Sequence, residues 1–223
     1  MNLPTIGVIG GTGNLGSAIA WRLARADYAV IIGSRSAESA RKTAETLAHG
    51  LTGATNADAA AAADIIILTV PFDAQAGTLT DIAPYVQGKI VVDTTVPLVP
   101  PKVMRVQLPR EGSAAQIAQN LLGVGVTTVS GFHNVAAHKL AKNIEVGCDV
   151  LIFGDDKLAR AQVVKLADAM GLRGLHGGPL ANSAAAEALT SILIFLNKAY
   201  KVDGAGIRVT GRLTPPEERQ PAA

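Results

Sequence analysis

The sequence predicts an α/β protein: a doubly wound parallel sheet followed by a small C-terminal α/β extension. Two observations carry that reading. Short runs of branched aliphatics alternate with longer helical patterns along the chain, as expected for strands buried on both faces and joined by crossover helices. The first such run, Ile6 to Ile9, also passes through the glycines Gly10, Gly11, Gly13 and Gly16 directly into a helical pattern. Composition agrees: 223 residues, 48% hydrophobic and 17% charged, suffice for a full core and fall between one large domain and two small ones.

Gly11, Gly13 and Gly16 fit the spacing G-x-G-x-x-G between a strand and a helix. In that setting the first glycine permits a tight turn, the second lets a pyrophosphate reach the backbone, and the third lets the helix pack on the strand. The helical pattern from Gly16 to Leu23 would aim its free N–H groups and positive dipole end at that phosphate, as in a Rossmann nucleotide site. The next apolar run, Tyr28 to Gly33, ends in Ser34-Arg35-Ser36, where an NAD-binding chain carries an acidic residue about 20 residues beyond the motif. A carboxylate would repel a 2′-phosphate, whereas a guanidinium holds it with paired charge-assisted hydrogen bonds and stacks on the adenine. NADP(H) is therefore the expected dinucleotide, held through Ser34, Arg35 and Ser36. Arg41 and Lys42, in the helical pattern from Ala37 to Leu47, read more simply as solvated helix residues that could add charge.

The alanine-rich stretch Ala57 to Ala63 reads as a short helix before the strand Asp64 to Val70, which Pro71 stops. A helical run to Tyr85 and the strand Ile90 to Thr94 follow. Ligands of doubly wound sheets lie beyond the carboxyl ends of the strands, so Val70-Pro71-Phe72 and Thr95-Val96-Pro97-Leu98 are expected to face the nicotinamide half. Ser113 to Leu122 is helical, and the strand Val124 to Ser130 ends in Gly131-Phe132-His133-Asn134, again at a carboxyl end. Beyond it come the strand Asp149 to Gly154, a helix from Asp156 to Met170 and an extended piece from Leu172 to His176. Asn182 is the expected N-cap of a long helix, Ser183 to Tyr200, apolar nearly all round and so suited to a core or a subunit interface. The expected divisions are a dinucleotide-binding domain over 1–145, a small domain closing the cleft over 146–213, and a disordered tail over 214–223.

Several functions are disfavoured. The net charge is only +2 and no basic run stands out, which argues against nucleic acid as a partner. The longest apolar segments are interrupted by Asp64, Asn182, Glu187 or Asn197, and the chain enters its first strand at once, so neither a membrane span nor a signal peptide is expected. The single cysteine, Cys148, excludes an internal disulfide and suits a reducing cytoplasm. His133 and His138 are five apart, off register for one helical face, and no cluster has metal-ligand spacing. No nucleophile signature or lysine proton donor is apparent. Hydride transfer between two stacked rings needs near-attack placement and donors near the ring that gains charge, and so tolerates that absence.

In chain order, GGTGNLG at 10–16, GSR at 33–35, LTVP at 68–71, VPL at 96–98, GSAAQ at 112–116, SGFHNVAA at 130–137, GDD at 154–156 and GPLANS at 178–183 resemble the NADPH-dependent reductases of coenzyme F420. The resemblance runs from Thr5 to about Arg212. It implies hydride transfer between NADP(H) and the deazaflavin ring of F420 as co-substrate, in a cleft between the two domains. It also implies that Thr12, Gly13, Asn14 and Leu15 bind pyrophosphate, that Ser34 and Arg35 bind the 2′-phosphate, and that Val70, Val96 and Ala137 line the nicotinamide. For the deazaflavin it points to Ile207, and the chemistry of the ring points to donors near His133, Asn134 and the helix start after Asn182. His133 is the candidate catalytic residue. Two other readings are a related reductase acting on a flavin, imine or ketone, and a non-catalytic NADP-sensing protein. A cytoplasmic homodimer or larger homo-oligomer with small-molecule partners is expected.

Overall fold

A computed structural model describes residues 3–214, so the expected tail lies outside the described residues from 215 onward. The strands are β1 (Ile6–Ile9), β2 (Val30–Ser34), β3 (Thr52–Thr55), β4 (Ile65–Leu68), β5 (Ile90–Asp93), β6 (Thr127–Ser130), β7 (Asp149–Phe153) and β8 (Arg173–Gly178). The α-helices are α1 (Asn14–Arg25), α2 (Ala37–Leu47), α3 (Asn56–Ala62), α4 (Phe72–Ile82), α5 (Ala114–Leu122), α6 (Ala137–Leu140), α7 (Lys157–Ala169) and α8 (Ser183–Tyr200). They build one sheet in the order β3-β2-β1-β4-β5-β6-β7-β8, whose first six strands follow the Rossmann arrangement.

The reason for the two-layered cover is visible in single strands. Both faces of β1 and β4 are fully buried, so each strand needs apolar partners above and below. On one face Ile6, Val8, Val30, Ile32, Ile65, Ile67, Val92 and Val129 join Ile19 and Leu23 of α1 and Val163 and Leu166 of α7 in a single core. On the other, Ile66, Leu68 and Val91 pack with Ala59 of α3, Leu79 of α4 and Ala118 of α5. Alternation along each strand thus supplies two cores at once.

Two features depart from the sequence reading. β3, Thr52–Thr55, has no apolar run and was not expected; Gly53 admits α2 so closely that a Cβ there would lie 2.3 Å from the carbonyl carbon of Ala40. The sheet is not parallel throughout: β6 meets β7 antiparallel through the pair Ser130 and Phe153, the last residues of their strands. From that joint Gly131 to Asn134 run on beside β7, and the Asn134 amide donates to the Asp149 carbonyl at 2.7 Å. The β7–β8 pair therefore stands beyond the carboxyl edge of the main sheet. The C-terminal segment is fastened to it: Asp149 N–H donates to Ile207 O at 2.9 Å, and the Asp149 carboxylate takes a bidentate Arg173 at 2.6 Å together with Val209 N–H. Arg173 holds the Asp149 carboxyl below the usual carboxylate range.

α8 is half-covered. It buries Ala186, Glu187, Ser191 and Leu193 but leaves Ile192 and Phe195 exposed, so the chain alone does not enclose it as its composition suggested. By length and hydropathy Leu180–Tyr200 would also pass for a membrane span. Its inward face is polar enough to argue otherwise: Glu187, Thr190 and Ser191 each make hydrogen bonds to other elements.

Arg22 of α1 is buried and donates to four carbonyls: Leu140 at 2.8 Å, Met170 at 2.9 Å, Lys142 at 2.5 Å and Ile144 at 2.9 Å. None of these partners is a carboxylate. One guanidinium thereby ties α1 to the end of α6, to the segment after it and to the end of α7. Arg22→Met is expected to lower unfolding free energy by about 3 kcal/mol or more, because several carbonyls lose their donors together. Urea unfolding checks this, and a loss below about 1 kcal/mol would mean that water replaces the guanidinium without cost.

Candidate active site

The glycine turn after β1 is fixed by its neighbours. Gly10 takes φ +72°, a left-handed value that side chains disfavour, and an added Cβ would sit 2.6 Å from Val70 Cγ1. The left-handed residue therefore precedes Gly11, the one expected to make the turn. Gly11 is required for a different reason: its Cβ would lie 2.7 Å from Val8 O. At Gly16 a Cβ would meet Thr69 Oγ1 at 2.4 Å and Gly11 Cα at 2.7 Å, so helix packing on the strand demands glycine there.

Gly13 differs. It is exposed, has φ −77°, and an added Cβ would touch only Gly10 O, at 3.4 Å. Nothing in the fold itself requires glycine here. The space over its backbone is open, and it opens at the start of α1, which has no side-chain cap and no acidic residue in its first turn. This is the geometry a pyrophosphate fills. Thr12 and Asn14 are exposed at its rim, and Leu15 is half-buried behind it.

Two residues that the sequence reading passed over hold this turn in place. Asn56, at the start of α3, accepts from Gly10 N–H at 3.3 Å and reaches across β2 to do so. Thr69, at the end of β4, donates its hydroxyl to Ile9 O at 2.8 Å. Their signal was position alone, since each follows a strand directly. Beside them Ser34 closes β2, its hydroxyl accepting from Ser36 N–H at 3.4 Å. Ser36 caps α2 through a hydrogen bond from Ser39 N–H at 3.3 Å. Arg35 between them is exposed and has no ion pair among the described residues, leaving its guanidinium available to a ligand.

The carboxyl ends of β4, β5 and β6 contribute the second half of the crevice. Val70 packs on the glycine turn, Pro71 is exposed at the start of α4, and Val96 and Ala137 are half-buried. Beneath them lies a buried polar network. Asp93, the last residue of β5, accepts from Thr95 N–H at 2.8 Å and from Gln75 Nε2 at 2.5 Å. Gln75 Nε2 also lies 2.8 Å from Thr95 Oγ1 and 2.9 Å from Ala114 O. Glu187 of α8 accepts from Ala114 N–H at 2.7 Å and Ala115 N–H at 3.1 Å, while Ser113 caps the same helix through Gln116 N–H. Burial pushes Asp93 up to about 6 against the hydrogen bonds from Thr95 and Gln75. It pushes Glu187 up to about 7, against the two backbone donors and with the Asp93 charge adding to the rise.

The four deazaflavin candidates are spread out. His133 is enclosed, with Nε2 3.1 Å from Ser130 Oγ, its carbonyl accepting from Thr190, and a buried Nδ1 that has no partner. Burial lowers its pKa to about 4, so it is neutral near pH 7. Asn134 and Ile207 line one cavity of about 340 Å³ with Lys139 and Arg208. Asn182 is exposed; it does not cap α8 but ends the preceding 3-10 turn and donates to Gly177 O at 3.0 Å. No group of three or more potential metal ligands occurs among the described residues.

Because Glu187 binds its proton more tightly in the folded chain than in the unfolded one, its contribution to stability is present below about 4.5 and lost as pH rises through about 7. Glu187→Gln removes that dependence. Its melting temperature relative to the unmodified chain is expected to rise between pH 4.5 and 7, by the equivalent of up to about 3 kcal/mol. His133 acts in the opposite sense, losing stability as pH falls from 6.5 towards 4, and is common to both proteins. Calorimetry across that range checks it, and a constant difference would place the Glu187 titration elsewhere.

The family described as NADP oxidoreductase, coenzyme F420-dependent, matches residues 5–97. An F420-dependent NADP reductase of Methanothermobacter thermautotrophicus is 40% identical over 218 residues, 92% of this chain and 94% of that one. One from Methanocaldococcus jannaschii is 37% identical over 220 residues, 92% of this chain and 97% of its own. The fold is shared with a crystal structure from an Arthrobacter species, assigned as an F420-dependent NADP reductase, at a TM-score of 0.81 and 23% identity, covering 94% of this chain and 100% of the other. With identity of this order sustained almost end to end, the chain belongs to the F420-dependent NADP reductase family.

Proposed function

We propose that the protein transfers a hydride directly between NADP(H) and the deazaflavin ring of coenzyme F420. The full-length match to reductases of that name carries the reading, and the open cradle over Gly13 supports it. Gly11 to Gly16 and the free N–H groups of α1 hold the pyrophosphate. Ser34, Arg35 and Ser36 hold the 2′-phosphate, a role that the absence of any acidic residue at those positions favours. Val70, Pro71, Val96 and Ala137 line the nicotinamide, and His133, Asn134, Asn182 and Ile207 serve the deazaflavin. When bound, the nicotinamide and the deazaflavin would be the two partners of the hydride transfer, in either direction. His133, being neutral, acts as a hydrogen-bonding group and not as an acid.

In this reading residues 1–145 form the dinucleotide domain and 146–213 the wall of the cleft, since β7 and β8 rise past the carboxyl edge where the rings lie. The protein works in the cytoplasm as a homodimer or larger homo-oligomer, with the exposed Ile192 and Phe195 of α8 covered by a second copy.

The deciding assay mixes NADPH with oxidised F420, with FMN and FAD in parallel; rapid oxidation with F420 alone is expected, and turnover with a flavin alone would overturn the assignment. Arg35→Asp is expected to weaken NADPH binding about 30-fold or more, roughly 2 kcal/mol, by titration. Unchanged affinity would remove Arg35 from the phosphate site. For His133→Ala the expected outcome is a turnover lower by about tenfold to a thousandfold at saturating F420, with NADPH affinity preserved. Equal turnover would make His133 structural.

A further inference from the structure

The segment joining β5 to α5, residues 94–113, is long and irregular, and its first residues face the nicotinamide half of the crevice. A loop of that length does not hold a ring-facing backbone in place by itself. Three buried side chains fasten both of its ends. At the start, Asp93 accepts from Thr95 N–H at 2.8 Å, and Thr94 donates both N–H and hydroxyl to Leu68 O. At the far end, Glu187 takes the first two N–H groups of α5. Gln75 of α4 bridges the two: one amide nitrogen reaches Asp93, Thr95 and Ala114. Each of the three side chains is essentially closed to solvent: Gln75 is 1% exposed, Asp93 0% and Glu187 1%.

Buried carboxyls and a buried amide are costly to maintain, and apolar side chains would fill the same space between helix and strand more cheaply. Nothing in the cores requires polarity here, since Leu79 and Ala118 pack the same face a turn away. What the polar groups add is directional: each fixes at least one backbone atom of the loop or of α5. No lysine or arginine faces them. α4 contributes Gln75, the loop Thr95, α5 its backbone, and α8 Ser183 and Glu187; among the described residues the one charge felt within the cluster is that of Asp93 on Glu187.

We propose that Asp93, Gln75 and Glu187 are positioning residues for hydride transfer, clamping both ends of the 94–113 loop so that Thr94 to Leu98 present a fixed surface to the nicotinamide. The proposal rests on the reductase reading above. A ring displaced by about 1 Å from near-attack geometry costs on the order of a hundredfold in rate while its binding, made mostly at the phosphates, is spared. The clamp therefore acts on the chemical step and leaves cofactor affinity alone.

Gln75→Leu and Glu187→Leu cut the clamp, and Glu187→Gln keeps an acceptor for α5. Single-turnover oxidation of NADPH by F420 is expected to slow by about ten- to a hundredfold in both leucine variants, with KM for NADPH within about threefold of the unmodified enzyme. Amide hydrogen exchange at Thr94, Thr95, Val96 and Leu98 is expected to quicken by about tenfold or more, and Glu187→Gln to restore both readings to within about threefold. If Glu187→Leu does not fold, Gln75→Leu carries the comparison. Unchanged single-turnover rate in a folded leucine variant overturns the proposal, as does a loss that falls equally on NADPH affinity and is not rescued by Glu187→Gln. Should the unmodified protein fail to oxidise NADPH with F420, the reductase reading fails, and exchange at 94–98 still decides whether the three side chains clamp the loop.

Discussion

The distance of closest approach between α1 and the strands beneath it governs much of this structure. Gly11 Cα lies so near the Gly16 position that a methyl group could not stand between them, and Thr69 fills what space remains. That contact sits at the carboxyl end of β1, beside β4, where the winding of the sheet reverses. The start of the helix, which has no side-chain cap, is left open to a ligand. Gly13, the one motif glycine with room above it, marks where a ligand would fit.

A second level of organisation comes from α8. Along one face it offers Glu187 to the first turn of α5, Thr190 to the His133 carbonyl and Ser191 to the Arg105 carbonyl, and near its end Asn197 accepts from Ala205 N–H at 2.7 Å. One helix thus touches the loop after β5, the loop after β6 and the C-terminal segment. The polar side of α8 is directed inward and part of its apolar side outward, the reverse of an ordinary surface helix. Hydrogen bonds, more than apolar burial, determine how it sits.

Much of this was legible from residue order. The strand–glycine–helix junction, the serine–arginine pair after β2 and the apolar strands are local patterns, and local patterns survive in a linear text. β3 was hidden because Thr-Gly-Ala-Thr on a sheet edge needs no apolar run. The direction of β7 was hidden because antiparallel and parallel strands share the same period of two. Asp93 and Glu187 were visible only as polar interruptions in apolar stretches; their pairing through Gln75 spans residues 75 to 187 and depends on the fold being complete. Gly10 was concealed by standing just outside the motif that its backbone makes possible.

The buried arginine in the last turn of α1 has a further consequence, which concerns ionic strength. Its positive charge is balanced by carbonyl dipoles in a buried setting, where dissolved ions do not reach, and the two carboxyls under the crevice are equally sheltered. Arg35, by contrast, is open to solvent, where dissolved ions screen its charge and would compete with a phosphate for it. In the proposed reading, capture of the cofactor and cohesion of the fold would therefore respond to salt independently, the first weakening while the framework stays intact. In concentrated salt such a protein would lose affinity for an anionic ligand well before it lost shape.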